Sequence, residues 1–146
     1  MNLRGNSPAK VDEKGRLKIP AVYLDALKEY GNQFYITSRN GESAEIYPMK
    51  VWSEIEAKLA KLPSSNKSKR KFLLHTSYYG QAVEIDGQGR VLMPVVLREA
   101  AQTTGDVDVL GALDHLVVIN HVRAEDKMKS DPYSDADDDA LQDAGI

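Results

Sequence analysis
The amino-acid sequence predicts an α+β fold: a pseudo-twofold β-barrel flanked by short helices and followed by a disordered acidic tail. Three observations carry that reading. First, VDEKGRLKIP (11–20) and IDGQGRVLMP (85–94) share the skeleton apolar–Asp–x–x–Gly–Arg–x–x–x–Pro, seventy-four positions apart. Chance agreement of Asp, Gly, Arg and Pro at four fixed offsets is improbable, so the chain reads as a duplicated unit. Second, each strand–loop–strand–helix unit is too small to bury a core alone, so the copies are expected to pack on one another. Third, charge is segregated. Residues 1–123 hold 17 Lys+Arg against 14 Asp+Glu, whereas residues 124–146 hold 2 against 8.

Each element has its own signal. Ala9–Val11 and Leu17–Ile19 are short apolar runs around the Asp12–Arg16 turn, a strand–loop–strand pattern. Pro20 occupies a position that a first helical turn tolerates. PAVYLDALKEYG follows with Tyr23, Leu24, Leu27 and Tyr30 as a stripe and Gly31 as a stop. QFYITS and AEIYP read as strands, and Val51, Trp52, Ile55, Leu59 and Leu62 lie on one face of a helix. PSSNKSKRK (63–71) is a polar break, and FLLHTSYYG reads as helix. The order then returns: AVEID as strand, GQGR as turn, VLMP as strand, VVLREAAQTTG as helix, DVDVLG and HLVVIN as strands. Val11 corresponds to Ile85, Leu17 to Val91, Ile19 to Met93 and Ala26 to Ala100. The organisation expected is a first repeat at 1–63, a linker at 64–71, a second repeat at 72–123 and a tail at 124–146. That tail is acidic and poor in large apolar groups, which predicts disorder.

Composition narrows the function. At 146 residues with 42% apolar content, the chain suits one compact unit or two halves sharing a core. The absence of cysteine excludes disulfides and thiolate zinc sites and suits a reducing cytosol. No segment reads as a signal peptide or a membrane span. Catalysis finds little support. His75, His115 and His121 lack metal-site spacing, and each reads as a surface or packing histidine. GQG (87–89) is not a dinucleotide fingerprint because Leu92 stands at the third glycine position. The acidic run from Asp135 fails as a calcium loop at Ala140 and Ile146. Neither a cofactor, a metal nor a small-molecule substrate is called for, and the chain is not expected to be an enzyme.

The loops themselves are more informative. Gly15 and Gly89 are placed for a backbone conformation other residues resist, and Asp12 and Asp86 can accept backbone N–H groups or pair with the arginine four positions on. Arg16 and Arg90 are the positive charges common to both loops, with Lys10, Lys14 and Lys18 around the first at spacing two. Guanidinium suits phosphate oxygens and the two major-groove acceptors of guanine. In the second loop Gln88 replaces Lys14 and Leu92 replaces Lys18, and Gln88 can still meet an adenine edge or a phosphate. A second basic cluster is Lys67, Lys69, Arg70 and Lys71. The alternative reading is a structural or protein-interaction barrel in which the Asp/Arg pairs are scaffold.

DEKGR (12–16) and DGQGR (86–90), with RGN (4–6), GRLKIPA (15–21), IYP with Trp52 (46–52), LPSS (62–65) and GRVLMP (89–94), resemble the doubled D-x-x-x-R signature of the MraZ family over roughly residues 3–123. That resemblance implies an AbrB-like swapped-hairpin barrel built by two halves of one chain. It further implies a cytoplasmic, nucleoid-associated regulator of the division and cell-wall gene cluster. Such a regulator binds short direct repeats of double-stranded DNA in its own promoter, as a ring-like homo-oligomer. By the family pattern Arg16 and Arg90 contact DNA, with Lys14 contributing beside the first.

Overall fold
The structure, a computed structural model, describes residues 1–146. Eight antiparallel strands make one sheet that nearly closes on itself: β1 (Asn6–Val11), β2 (Arg16–Lys18), β3 (Gln33–Thr37), β4 (Ala44–Pro48), β5 (Gln81–Glu84), β6 (Arg90–Leu92), β7 (Gly105–Gly111) and β8 (Leu116–Asn120). Their order is β5-β3-β4-β8-β7-β1-β2-β6. The two outer strands of that order are joined by the second loop, where the Asp86 N–H donates to the Arg90 carbonyl at 2.9 Å. Six helices lie outside: α1 (Ala21–Lys28), α2 (Met49–Ala60), α3 (Lys67–Tyr78), α4 (Val95–Ala101), α5 (His121–Ser130) and α6 (Asp135–Leu141).

The halves interleave. β1 pairs with β7 and β5 with β3, while β2 pairs with β6 and β4 with β8. Neither half therefore owns a complete sheet, as expected of units too small to bury a core separately. The corresponding apolar residues meet in a single interior: Val11 and Ile85, Leu17 and Val91, Ile19 and Met93, Tyr23 and Leu97 are all buried in one cluster. β1 starts three residues before the apolar run because the ladder with β7 extends from Val11 back to Asn6. Pro8 is accommodated because β2 covers only the far end of β1, at Val11.

Several expectations are corrected by local chemistry. The tail is not a disordered segment but helical, as α5 and α6, and the cause is capping rather than burial. The Asn120 side chain accepts from the Arg123 N–H at 3.1 Å, and Ser134 with Asp137 forms a capping box. Neither helix buries a residue. Composition correctly indicates that nothing there joins the core, but it does not register the caps. The polar stretch 63–71 becomes helical from Lys67, with Asn66 as N-cap. Within it, Lys69 Nζ and Arg70 Nη1 donate to the carbonyls of Leu62 and Ser64 at 2.8 and 3.0 Å, so two of the four basic residues there close the preceding turn. On α2 only Val51 and Trp52 are buried, and Leu62 is exposed. α4 stops at Ala101 rather than running to Gly105. Gln102 takes a left-handed conformation (φ 51°), and its carbonyl is held by the Asn120 side chain at 3.0 Å.

Candidate nucleic-acid interface
The two Asp–Gly–Arg loops have matching hydrogen-bond sets. Asp12 Oδ1 accepts the N–H groups of Lys14 and Arg16 at 3.0 and 2.9 Å, and Oδ2 accepts Arg16 Nε at 2.9 Å. Asp86 Oδ1 accepts those of Gln88 and Arg90 at 2.8 and 2.9 Å, and Oδ2 accepts Arg90 Nε at 2.9 Å. Hydrogen bonds to the charged carboxylate favour it. The Arg16 N–H, with the Arg16 guanidinium, accordingly holds Asp12 below its ordinary carboxyl pKa, and Arg90 does the same for Asp86. Each glycine completes its turn in the left-handed region, Gly15 at φ 85° and Gly89 at φ 75°.

These clamps aim the arginines. Each guanidinium is held by Nε alone, and its two terminal amino groups have no partner within the chain. Both arginines are about one third exposed. The loops also lie against one another: the Ile19 N–H donates to the Gly89 carbonyl at 2.9 Å, and the Met93 N–H to the Gly15 carbonyl at 2.8 Å. Between these bonds runs the β2–β6 ladder, with Arg16 opposite Leu92, Leu17 opposite Val91 and Lys18 opposite Arg90. Leu17 and Val91 point into the core, so strand alternation sends Arg16, Lys18, Arg90 and Leu92 to the outer face.

Of the remaining candidate residues, Lys10 lies on β1 and lines an open groove with Lys18. It faces Asp106 across the β1–β7 ladder, but the charges are 3.9 Å apart and both side chains are more than 70% exposed, so the pair is weak. Lys14 and Gln88 are exposed at equivalent loop positions, and each contributes its backbone N–H to the turn. Lys18 stands directly opposite Arg90 in the ladder, besides sharing a face with the arginine two residues before it. Leu92 likewise stands opposite Arg16.

One arginine that lies on the loops escapes the sequence reading. Arg98, on α4, occupies the position that Leu24 holds on α1. Its guanidinium lies so close over Gly15 that an added Cβ would meet Nη1 and Cζ, and Nη1 is buried without a hydrogen-bond partner. Leu24 covers Gly89 more loosely, at 3.4 Å from an added Cβ. A charged residue where the other helix places leucine was the available hint.

The histidines sit elsewhere, all in polar company. His75 Nδ1 meets the Lys71 carbonyl at 2.9 Å, and His115 stacks on Tyr47 with ring centroids 4.4 Å apart. His121 lies between Asp108 at 3.0 Å and Glu125 at 2.7 Å, and Asp108 is buried. The hydrogen bond and charge of Asp108 raise the His121 pKa above its usual 6.5. No group of three or more histidine and acidic side chains is arranged to hold a metal ion. No helix is long and apolar enough to cross a membrane.

Comparison with known proteins places this geometry in context. Residues 3–75 match the family described as "MraZ protein, putative antitoxin-like". A protein of Acidobacterium capsulatum named "Transcriptional regulator MraZ" is 51% identical over 144 residues, which is 98% of this chain and 99% of that protein. A protein of the same name in Koribacter versatilis is 48% identical over 145 residues, 98% of this chain and 99% of the relative. Another, in Syntrophobacter fumaroxidans, is 32% identical over 131 residues, 90% and 87% of the two chains.

Proposed function
The chain belongs to the MraZ family, and from that membership we propose that it is a sequence-specific DNA-binding transcriptional regulator, repressing its own division and cell-wall gene cluster. The observation that carries the proposal is the β2–β6 ladder, which gathers Arg16, Lys18 and Arg90 on one exposed face. A two-stranded ribbon is an element that the major groove admits, and guanidinium is the group that pairs bidentately with guanine O6 and N7. Asp12 and Asp86 act as scaffold. By occupying Nε they leave the terminal amino groups free and hold each side chain in one orientation, so less conformational entropy is lost on binding. Lys10, Lys14, Lys18 and Gln88 supply phosphate and base-edge contacts around the two arginines.

One subunit offers few such contacts. A good bidentate pair contributes about 1–3 kcal/mol of discrimination, too little for a gene-specific regulator. We read the assembly as a ring-like homo-oligomer whose subunits engage regularly spaced direct repeats, with avidity gains of about 10²–10⁴. The barrel is read as a swapped hairpin, which the exchange of β1 onto β7 and β5 onto β3 supports. The polypeptide then works on the nucleoid in the cytoplasm.

The test is a gel shift on the protein's own upstream promoter DNA beside scrambled DNA of equal composition. A specific shift is expected, lost in the Arg16→Ala/Arg90→Ala variant while circular dichroism and assembly stay unchanged. Equal binding to both DNAs, or an unaltered shift in the variant, defeats the reading.

A further inference from the structure
An exposed leucine shares the basic face, at one end of the ribbon. Leu92 is 50% exposed and stands directly opposite Arg16 in the ladder. Val96, just beyond Pro94, and its counterpart Val22, just beyond Pro20, are both exposed, at 44% and 72%, so the two ends differ at Leu92 and not in the helix starts that follow. At the other end Arg90 faces Lys18, and Lys10 shares the groove with Lys18. The two arginines thus face different residues across the ladder, Leu92 for Arg16 and Lys18 for Arg90, although their own clamps match atom for atom.

We infer that Leu92 is a specificity residue of the interface, taking a thymine C5-methyl group while Arg16 takes a neighbouring guanine. This inference rests on the DNA-binding reading above. Side chains directly opposite in an antiparallel ladder have Cβ atoms about 5 Å apart, a span over which one ribbon can touch two neighbouring base pairs. In the major groove, thymine is the base that offers a methyl group, and an aliphatic side chain is what contacts it. Leu92 contributes nothing to the core that would account for its type, since Val91 and Met93 on either side fill the interior. A lysine, which its counterpart Lys18 is, would add a cation to the face. Leucine at this position instead makes the ribbon's two ends different, and the pseudo-twofold surface then reads a non-palindromic site in one direction. At the other end the residue facing the arginine is Lys18, and that end takes guanine and phosphate.

The experiment measures binding of the wild-type protein and the Leu92→Ala variant to the protein's own promoter duplex, made once with thymine and once with deoxyuridine, which lacks the methyl group. Wild-type affinity is expected to fall about fourfold for each buried methyl group removed, while Leu92→Ala binds the two duplexes equally. Leu92→Lys is expected to show no methyl dependence and to steepen the log–log salt slope by about 0.9. If uracil weakens wild type and Leu92→Ala alike, the effect belongs to DNA shape. If Leu92→Ala weakens both duplexes equally and wild type ignores the methyl, Leu92 only supports the Arg16 side chain. Either result overturns the inference and leaves DNA binding intact. Failure of the DNA-binding reading itself shows separately, as wild-type protein that does not distinguish promoter from scrambled duplex.

Discussion
Replacing each loop glycine by alanine should cost unequal amounts, although the loops have the same hydrogen bonds. Both glycines lie in the left-handed region, at φ 85° and 75°, where an L-residue costs about 1–2 kcal/mol. At Gly89 that is the whole effect, because the new methyl would meet Leu24 Cδ2 at 3.4 Å, an ordinary contact. At Gly15 the methyl would take the place of the Arg98 guanidinium, with Cζ only 2.6 Å away and Cδ 3.3 Å. The guanidinium, the far end of a flexible side chain, can swing aside, but the tight contact at Cδ pushes the side chain off its rotamer, which adds about 0.5–1.5 kcal/mol. Gly15→Ala is therefore expected to be the more damaging change by about 1 kcal/mol, or roughly 2–4 °C in Tm for a chain of this size.

The assay is denaturant unfolding at one protein concentration, followed by the fluorescence of Trp52. It is the sole tryptophan, buried and stacked 4.7 Å from Tyr35. A double-mutant cycle isolates the cause. In an Arg98→Ala background no guanidinium stands over the loop, so Gly15→Ala should cost only what Gly89→Ala costs. Equal losses for the two glycine variants, unaffected by Arg98→Ala, would refute the seating of Arg98 on the first loop.

Two further outcomes follow from the tail. His121 has its pKa raised, first by its hydrogen bond to Asp108 and then by that residue's charge. The proton it holds thus favours the folded arrangement. That stabilisation is complete below pH 6.5 and is lost as pH rises through the raised pKa. An NMR titration of the imidazole should give a midpoint above 6.5 that returns towards 6.5 in Asp108→Asn, and a wild-type midpoint at or below 6.5 would refute this. Removing residues 131–146 deletes six aspartates and no basic residue. DNA binding measured by fluorescence anisotropy should tighten at low salt, with the gain fading as screening increases; unchanged or weaker affinity at low salt would count against it.

Much of the barrel was legible because the two loops share one skeleton and the apolar residues around them fall at matching offsets. Val11/Ile85, Leu17/Val91 and Ile19/Met93 can be matched along the chain by their offsets from the two loops, and all six residues are core. The clamps were legible too, since Asp accepting turn N–H groups and pairing four residues on is local chemistry. The helical tail was not, because its capping bonds involve single residues, Asn120 and Ser134, within a composition typical of disorder. Arg98 was hidden for a different reason. Its partner Gly15 lies on the other half of the chain, and only the fold brings α4 over the first loop.

The surroundings of the two arginines show where sequence alignment misleads. Reading along the chain, Lys18 reinforces Arg16, and its replacement by Leu92 weakens Arg90. The antiparallel ladder adds a second neighbour to each. The pseudo-twofold relation passes through the Leu17–Val91 pair, so each arginine stands opposite the residue that follows the other arginine by two. Lys18 therefore adds its charge beside Arg90, and Leu92 sets the apolar environment of Arg16. A substitution at either position alters the loop of the opposite half. A change in one half consequently changes the contacts available to the loop of the other, and two loops with matching clamps have different neighbours without either clamp being modified.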